Sequence, residues 1–320
     1  MKKTVLREYA RLIARCGVNV QKGQEVFIAA DLDQPEFVAM LVDECYKCKA
    51  KKVVVDWAYQ PLQKLHVRYR SLTTMSKLDN YELARWQHYV DTIPCRIYLL
   101  SDDPDGLRGI NQEKLAKSQQ ALFPIIKPFR DQIENKYQWC IAAVPGEAWA
   151  KKLFPHLRRS QAVEKLWEAI LSTSRALEGD PVANWEAHNK DLHSRCDYLN
   201  SLHIRSLHYT AGNGTDLTVG MISEAHFCGG SEKSLQGIVF NPNIPSEECF
   251  ISPHAGAGGG HCLRHQAPEL SGPAHRQVLD QIPRGQGGGV ARGAEPRPAD
   301  QAHPDGRGQR VSGRVRPGAV

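Results

Sequence analysis

Glu25-Val-Phe-Ile-Ala-Ala30 and Lys52-Val-Val-Val-Asp-Trp57 are two short apolar runs, and the stretch between them, 35–48, repeats its apolar residues at helical spacing. Runs without polar alternation are the mark of strands buried on both faces. A helical segment between two of them is the sequence form of a strand–helix–strand unit. The same grammar extends outward. Upstream, Val5, Tyr9, Leu12, Ile13 and Cys16 recur at helical spacing, and Gly17 sits where a left-handed cap would stop that helix. Downstream, Arg96-Ile-Tyr-Leu-Leu100 and Trp139-Cys-Ile-Ala-Ala-Val144 are further apolar strands, each ending at a polar or Pro/Gly loop. Longer helices are expected over 162–177 and 182–202, and 207–250 returns to strands and glycine turns. The expected fold class is α/β: an N-terminal domain with a mostly parallel sheet, the start of a second domain, then a disordered tail.

Composition changes abruptly after Phe250-Ile-Ser-Pro253. All eighteen lysines lie at or before Lys233, and no Phe, Trp, Tyr, Met, Asn or Thr follows Phe250. Between Gly256 and Gly318 fall 14 of the 26 glycines, and the nine cations of the tail are all Arg. A segment so poor in large apolar side chains cannot offset a backbone ordering cost of about 1–2 kcal/mol per residue. The chain therefore divides into an α/β region at 1–252 and a Gly/Pro/Arg-rich tail at 253–320. Of the net charge of +6, the tail carries +4 and the body only +2, so the body has no electrostatic footprint for nucleic acid. No apolar run approaches the ~20 residues of a membrane span, and the charged N-terminus does not read as a signal peptide. Nine scattered cysteines fit a reducing compartment, so the expected location is cytoplasmic.

Several residues carry possible chemistry. Cys45-x-x-Cys48 has the spacing of a metal or redox pair but lies late in a helix with no second pair, so two half-buried thiols are expected. His188 and His193 are five apart, which separates them around a helix instead of aligning them as an i, i+4 metal pair. Gly212-Asn-Gly-Thr-Asp-Leu-Thr-Val219 lacks the Lys-Ser/Thr ending of a phosphate loop and reads as a glycine turn entering a strand. His261-Cys262-x-x-His265, with His254 and His275 near, has ligand types that zinc uses but no element to fix them. His303-Pro-Asp305 lacks any apolar context. Glu247-Glu248 follows Pro245 and precedes Cys249-Phe250-Ile251 in an expected extended segment, where neighbours point to opposite faces. Two readings are open there: a surface turn with two solvated acids, or one carboxylate turned inward to a divalent cation.

Three motifs in order resemble the bacterial metalloaminopeptidase family typified by aminopeptidase T and aminopeptidase S. They are Asp180-Pro-Val-Ala-Asn-Trp-Glu-Ala-His-Asn189, Gly214-Thr-Asp-Leu-Thr-Val-Gly220 and Asn241-Pro-Asn-Ile-Pro-Ser-Glu-Glu-Cys-Phe250. The likeness spans roughly residues 4–253. It implies a homodimer acting on peptide substrates, with an α/β domain followed by a catalytic domain. It also implies two divalent metal ions per site, zinc, cobalt or manganese, whose bound water, its pKa lowered toward ~7, attacks the scissile carbonyl. In the family's Pro-Thr-Glu-Glu-Val-Phe stretch the second Glu is a metal ligand, which maps onto Glu248; Ser246 and Cys249 are mild departures. The family's remaining ligands lie beyond this motif and have no match here, so no catalytic residue is assigned, and Glu269, Glu295, His303 and Asp305 stand in no matching context. One carboxylate cannot hold two metals, so little peptidase activity is expected of the chain as written. A non-catalytic interaction module and a vestigial, poorly folded product are the alternatives.

The Arg/Gly/Pro/Ala bias of the tail is what out-of-frame reading of GC-rich DNA yields, and among AT-rich-codon residues only Ile282 interrupts it. A frame shift near His254 or Ala255 is the reading that follows, with a genuine basic tail as its rival. Resequencing the gene from the codon for Asn241 onward is expected to recover, in another frame, structured sequence bearing the absent Glu, His and Asp ligands. If no frame carries them, the tail is genuine and the enzymatic reading falls.

Overall fold

The computed structural model describes residues 1–263 together with 279–282 and 313–315. It divides into two compact units. The first comprises Met1–Asn189 and Ser231–Ser246; the second comprises Lys190–Gly230 and the described residues from Glu247 onward.

In the first unit, helix α1 (Lys3–Leu12) runs into a π-helical turn at Ile13–Gly17 and leads to strand β1 (Glu25–Asp31). Then come α2 (Pro35–Lys47), β2 (Lys52–Ala58), α3 (Gln60–Tyr69), α4 (Leu72–Met75), α5 (Asn80–Thr92) and β3 (Cys95–Leu100). Next follow α6 (Gln112–Ile133), β4 (Trp139–Ala143), α7 (Glu147–Leu153), α8 (Arg159–Thr173) and α9 (Pro181–Ser201), whose residues from Lys190 onward belong to the second unit. The second unit adds β5 (Ser206–Thr210) and β6 (Asp216–Met221), after which β7 (Glu232–Lys233), β8 (Val239–Phe240) and β9 (Asn243–Ile244) return to the first. Finally β10 (Cys249–Ile251), β11 (Pro253–Leu263), β12 (Leu279–Ile282) and β13 (Gly313–Val315) belong to the second.

The first unit is built on a sheet of order β2-β1-β3-β4-β9, parallel throughout. Successive residues of a strand face opposite sides, and β1 buries both. Val26, Ile28 and Ala30 belong to a core with Tyr9, Leu12, Ile13, Phe37, Leu41, Trp167 and Leu171, drawn from α1, the π-helical turn, α2 and α8. Phe27 turns to the other face and joins Tyr89, Ile133 and Tyr137, from α5, the end of α6 and the loop after it. Helices thus cover both faces, which is why β1, β3 and β4 read as continuous apolar runs. Tyr9 is wholly buried, and its hydroxyl donates to the Ala143 carbonyl at 3.1 Å.

Two expectations change. Gly17 is not a left-handed cap; the left-handed residue is Asn19, at φ 45°. Gly17 closes the π-turn instead, where an added Cβ would stand 2.8 Å from Cys140 Sγ on β4. The glycine serves close helix-to-strand approach. The tail does not begin at Pro253 as expected, because Pro253–Leu263 forms β11, antiparallel to β6. Backbone pairing of this kind needs no large side chain, so composition does not reveal it. The rest of the tail expectation, with His265, Glu269, His275, Glu295, His303 and Asp305, lies outside the described residues. The helices between β2 and β4 carry no strong sequence signal, and α6 contains Pro124 and Pro128, which read as breakers.

Replacing Gly17 with Ala is expected to destabilise the fold by about 1–3 kcal/mol through overpacking. Adding Cys140→Ala should recover part of that loss. Denaturant titration of wild type, the two single variants and the double variant checks it, and strictly additive effects would refute the contact.

Candidate functional site

The Asp180–Asn189 motif is first a structural device. Asp180 Oδ1 accepts from Val182 N at 2.9 Å at the start of α9, and from Arg11 Nη2 at 2.8 Å. The Arg11 hydrogen bond, then that from the Val182 amide, holds the Asp180 carboxyl below the usual carboxylate range. Asn184 Nδ2 donates to the carbonyls of Arg175 and Glu178, tying down the preceding loop. Trp185 is fully buried and its indole N–H donates to the Ser174 carbonyl at 2.7 Å. His188 meets the Trp185 ring edge to face at 5.3 Å between centroids and is itself buried. Its Nε2 lies 2.7 Å from the Ser246 carbonyl oxygen. A carbonyl only accepts, so Nε2 carries the proton. His193, five residues on, is exposed, so the two histidines separate around the helix as their spacing requires. In this way the first motif grips the residue just before Glu247-Glu248.

In the second unit the acidic pair lies in irregular backbone leading into β10, not on a strand. Glu247 is exposed and Glu248 half-buried. The strand start is fixed firmly: Cys228 and Phe250 exchange two backbone hydrogen bonds of 2.8 Å each. Gly229 lets the chain pass the Glu248 carbonyl, since a Cβ there would stand 2.3 Å from that oxygen. Cys249 turns inward to Leu192, Cys196, Phe227 and Ile251. Burial, and next the hydrogen bond with Cys249, push the Cys196 thiol up to about 12. Such thiols are inert packing groups.

The other sequence candidates disperse. Cys45 is buried and Cys48 half-buried, both free thiols. The Gly212–Val219 stretch is the hairpin between β5 and β6, with Asn213 Oδ1 accepting from Thr215 N at 3.0 Å and Gly214 at φ 92°. His261, on β11, contacts the Gly214 carbonyl at 2.6 Å and Cys262 is a free thiol, while His254 is exposed. Among the described residues no group of three or more His, Cys, Asp or Glu could hold a metal ion.

Sequence reasoning passed over one cluster. Asp31 ends β1, and Ser101 and Asp102 follow β3, at the point where the chain leaves β1 for opposite sides of the sheet. Open parallel sheets place their crevice at such a point. Ser101 Oγ donates to Asp33 Oδ2 at 2.7 Å, and Gly146 stands against the Ser101 carbonyl, which a Cβ would meet at 2.0 Å. Burial, then the charges of Asp102 and Asp33 and a hydrogen bond to Asp102, raise Asp31 to about 6. The available signal was two carboxylates placed directly at the ends of apolar strands.

Comparisons with known proteins bear on these motifs. A family model described as thermophilic metalloprotease (M29) matches residues 2–272. The chain is 33% identical over 253 residues to aminopeptidase PepS of Streptococcus thermophilus, covering 78% of this chain and 61% of that protein. It is 34% identical over 253 residues to aminopeptidase T of Thermus thermophilus, covering 79% of this chain and 62% of that one. The solved structure of wild-type AmpT from Thermus thermophilus superposes with a TM-score of 0.77 at 30% identity, over 88% of this chain and 70% of that chain. The chain thus spans about three fifths of the length of these curated relatives.

The raised Asp31 carboxyl has a definite pH consequence. Its folded pKa lies above the unfolded value near 3.9, so its stabilisation is complete below that value and is lost as pH rises through about 6. Asp31→Asn is expected to flatten the fall in melting temperature between about pH 4 and 6.5, the window that runs from the unfolded value through the raised one. An unchanged profile in the variant would refute the assignment.

Proposed function

Because the chain belongs to the thermophilic metalloprotease (M29) family, we propose that its function is that of an aminopeptidase, hydrolysing N-terminal residues from peptides. The single observation that carries this reading is the ordered trio of motifs at 180–189, 214–220 and 241–250, set on the α/β scaffold shared with a solved aminopeptidase. The family implies a divalent metal, and we assign Glu248 as one ligand of a dinuclear site that takes zinc, cobalt or manganese. Its half-buried position between the exposed Glu247 and the buried Cys249 supports this choice. The described residues do not by themselves fit a metal pair, since no group of three potential ligands occurs among them. We therefore propose that the chain as written turns over little or no substrate. A cytoplasmic homodimer completes the reading, supported by nine free thiols; among the described residues no helix is long and apolar enough to cross a membrane.

A non-catalytic interaction module is the second reading. It is favoured by exposed apolar side chains around β2, where Trp57 is 46% and Tyr59 52% accessible.

An amino-acid arylamide assay with added Zn²⁺, Co²⁺ or Mn²⁺ tests the main reading. The chain as written should stay at background, whereas a version extended with the family's missing ligands should hydrolyse the arylamide. Robust turnover by the present chain would overturn the ligand argument, and an inactive extended version would overturn the aminopeptidase proposal.

A further inference from the structure

Cations gather where α2 hands over to β2. Lys47, Lys49, Lys51 and Lys52 fall within Lys47-Cys-Lys-Ala-Lys-Lys52, and all four are exposed. The fold brings two more to the same place from far along the chain. Gly23 N donates to the Lys49 carbonyl and Lys51 N to the Gln24 carbonyl, each at 2.8 Å. These bonds lay the loop before β1 alongside 49–51 and set the exposed Lys22 beside them. Arg15, also exposed, hydrogen-bonds the Cys48 thiol.

Part of this charge is matched locally. Lys47 pairs with Asp43 at 2.9 Å and Glu44 at 2.7 Å. Lys51 reaches the buried Glu25 at 3.7 Å, which His88 holds more closely at 2.8 Å. Lys22, Lys49 and Lys52 form no ion pair among the described residues. Strands β1 and β2 are parallel and both begin here, so the cations crowd the N-terminal edge of the sheet. Asp31, Asp33 and Asp102 stand at the opposite, C-terminal edge. The first unit is therefore polarised along its strands. Tyr46 is 49% exposed amid the lysines, and its hydroxyl accepts the Val53 N–H at 3.3 Å, which leaves ring surface facing outward.

Cations spread over a strand edge and two loops call for many anions presented on a surface. Lysine acts as a point charge, without the planar fork by which arginine reads one phosphate or one base. An anionic membrane meets that requirement, because its surface potential attracts each Lys or Arg that comes near. An aromatic ring among the cations suits the depth of the headgroups. Single-stranded nucleic acid would instead use a row of stacking rings, and Tyr46 is a single one. The same surface repels the acids of the far edge, which fixes the orientation.

We propose that the N-terminal edge of the parallel sheet docks the protein reversibly on anionic phospholipid membrane, with the Asp31–Asp102 edge turned to solution. This stands on the charge layout of the first unit and is independent of the aminopeptidase reading.

Co-sedimentation of the full chain with mixed phosphatidylserine–phosphatidylcholine vesicles, and with pure phosphatidylcholine vesicles, tests it. Binding is expected to the anionic vesicles alone and to weaken as salt rises. The patch variant Lys22→Gln, Lys49→Gln, Lys52→Gln should bind roughly a hundredfold more weakly, about fivefold for each cation withdrawn. A control variant at exposed lysines of α6, α8 and α9, Lys117→Gln, Lys165→Gln, Lys190→Gln, has the same net charge and should bind far more tightly than the patch variant. Absence of binding to the anionic vesicles overturns the proposal. Equal binding by wild type and patch variant overturns it by placing the attraction in the tail arginines. Equal loss in both variants overturns it by reducing the attraction to net charge. Tighter binding to single-stranded RNA than to vesicles, lost in the patch variant, overturns it in favour of a polynucleotide.

Discussion

Burial of β1 on both faces is the constraint on which the first unit depends. Alternate side chains of one strand, Val26 and Ile28 against Phe27, enter separate cores. Neither core can close without helices on its own side, and that requirement explains the crossing order β2-β1-β3-β4 and the helix between each pair of strands. Close approaches then follow. Gly17 passes Cys140 and Gly146 passes Ser101 because the helical layer and the loops must come within backbone distance of the sheet. The same constraint leaves β2 at the rim, paired among the described residues with β1 alone.

The motif residues do more holding than chemistry. Asp180, Asn184, Trp185 and His188 spend their polar groups on loop carbonyls, amides and Arg11, and the last of these grips Ser246. In the second unit, the Cys228–Phe250 pair and the approach of Gly229 fix the exit from Glu248. The conspicuous residues of the first motif thus tie down the loops around the start of α9.

Much of this was legible in the sequence, and the failures have physical causes. Strands β1 to β4 announced themselves because burial on both faces leaves no polar alternation to confuse. The spacing of His188 and His193 already separated them around a helix, and the hairpin after Thr210 followed from Asn213-Gly214. By contrast, α6 hid behind two prolines, and β11 hid in a glycine-rich run whose pairing is made by the backbone alone. Glu247 and Glu248 were expected on a strand. They lie just before one, because close packing of Gly229 and inward-facing Cys249 set where β10 begins.

By itself the sequence determined the α/β class, the apolar strands and helices, and the family to which the three motifs belong, because these rest on local periodicity and on residue identity. Only the tertiary structure decided that Gly17 serves close packing, that Asp31 and Asp102 meet at the strand ends, and that β2 lies at an open edge. Each of these depends on which segments become neighbours in space. That choice is made by the joint burial of two sheet faces, and no single stretch of chain records it.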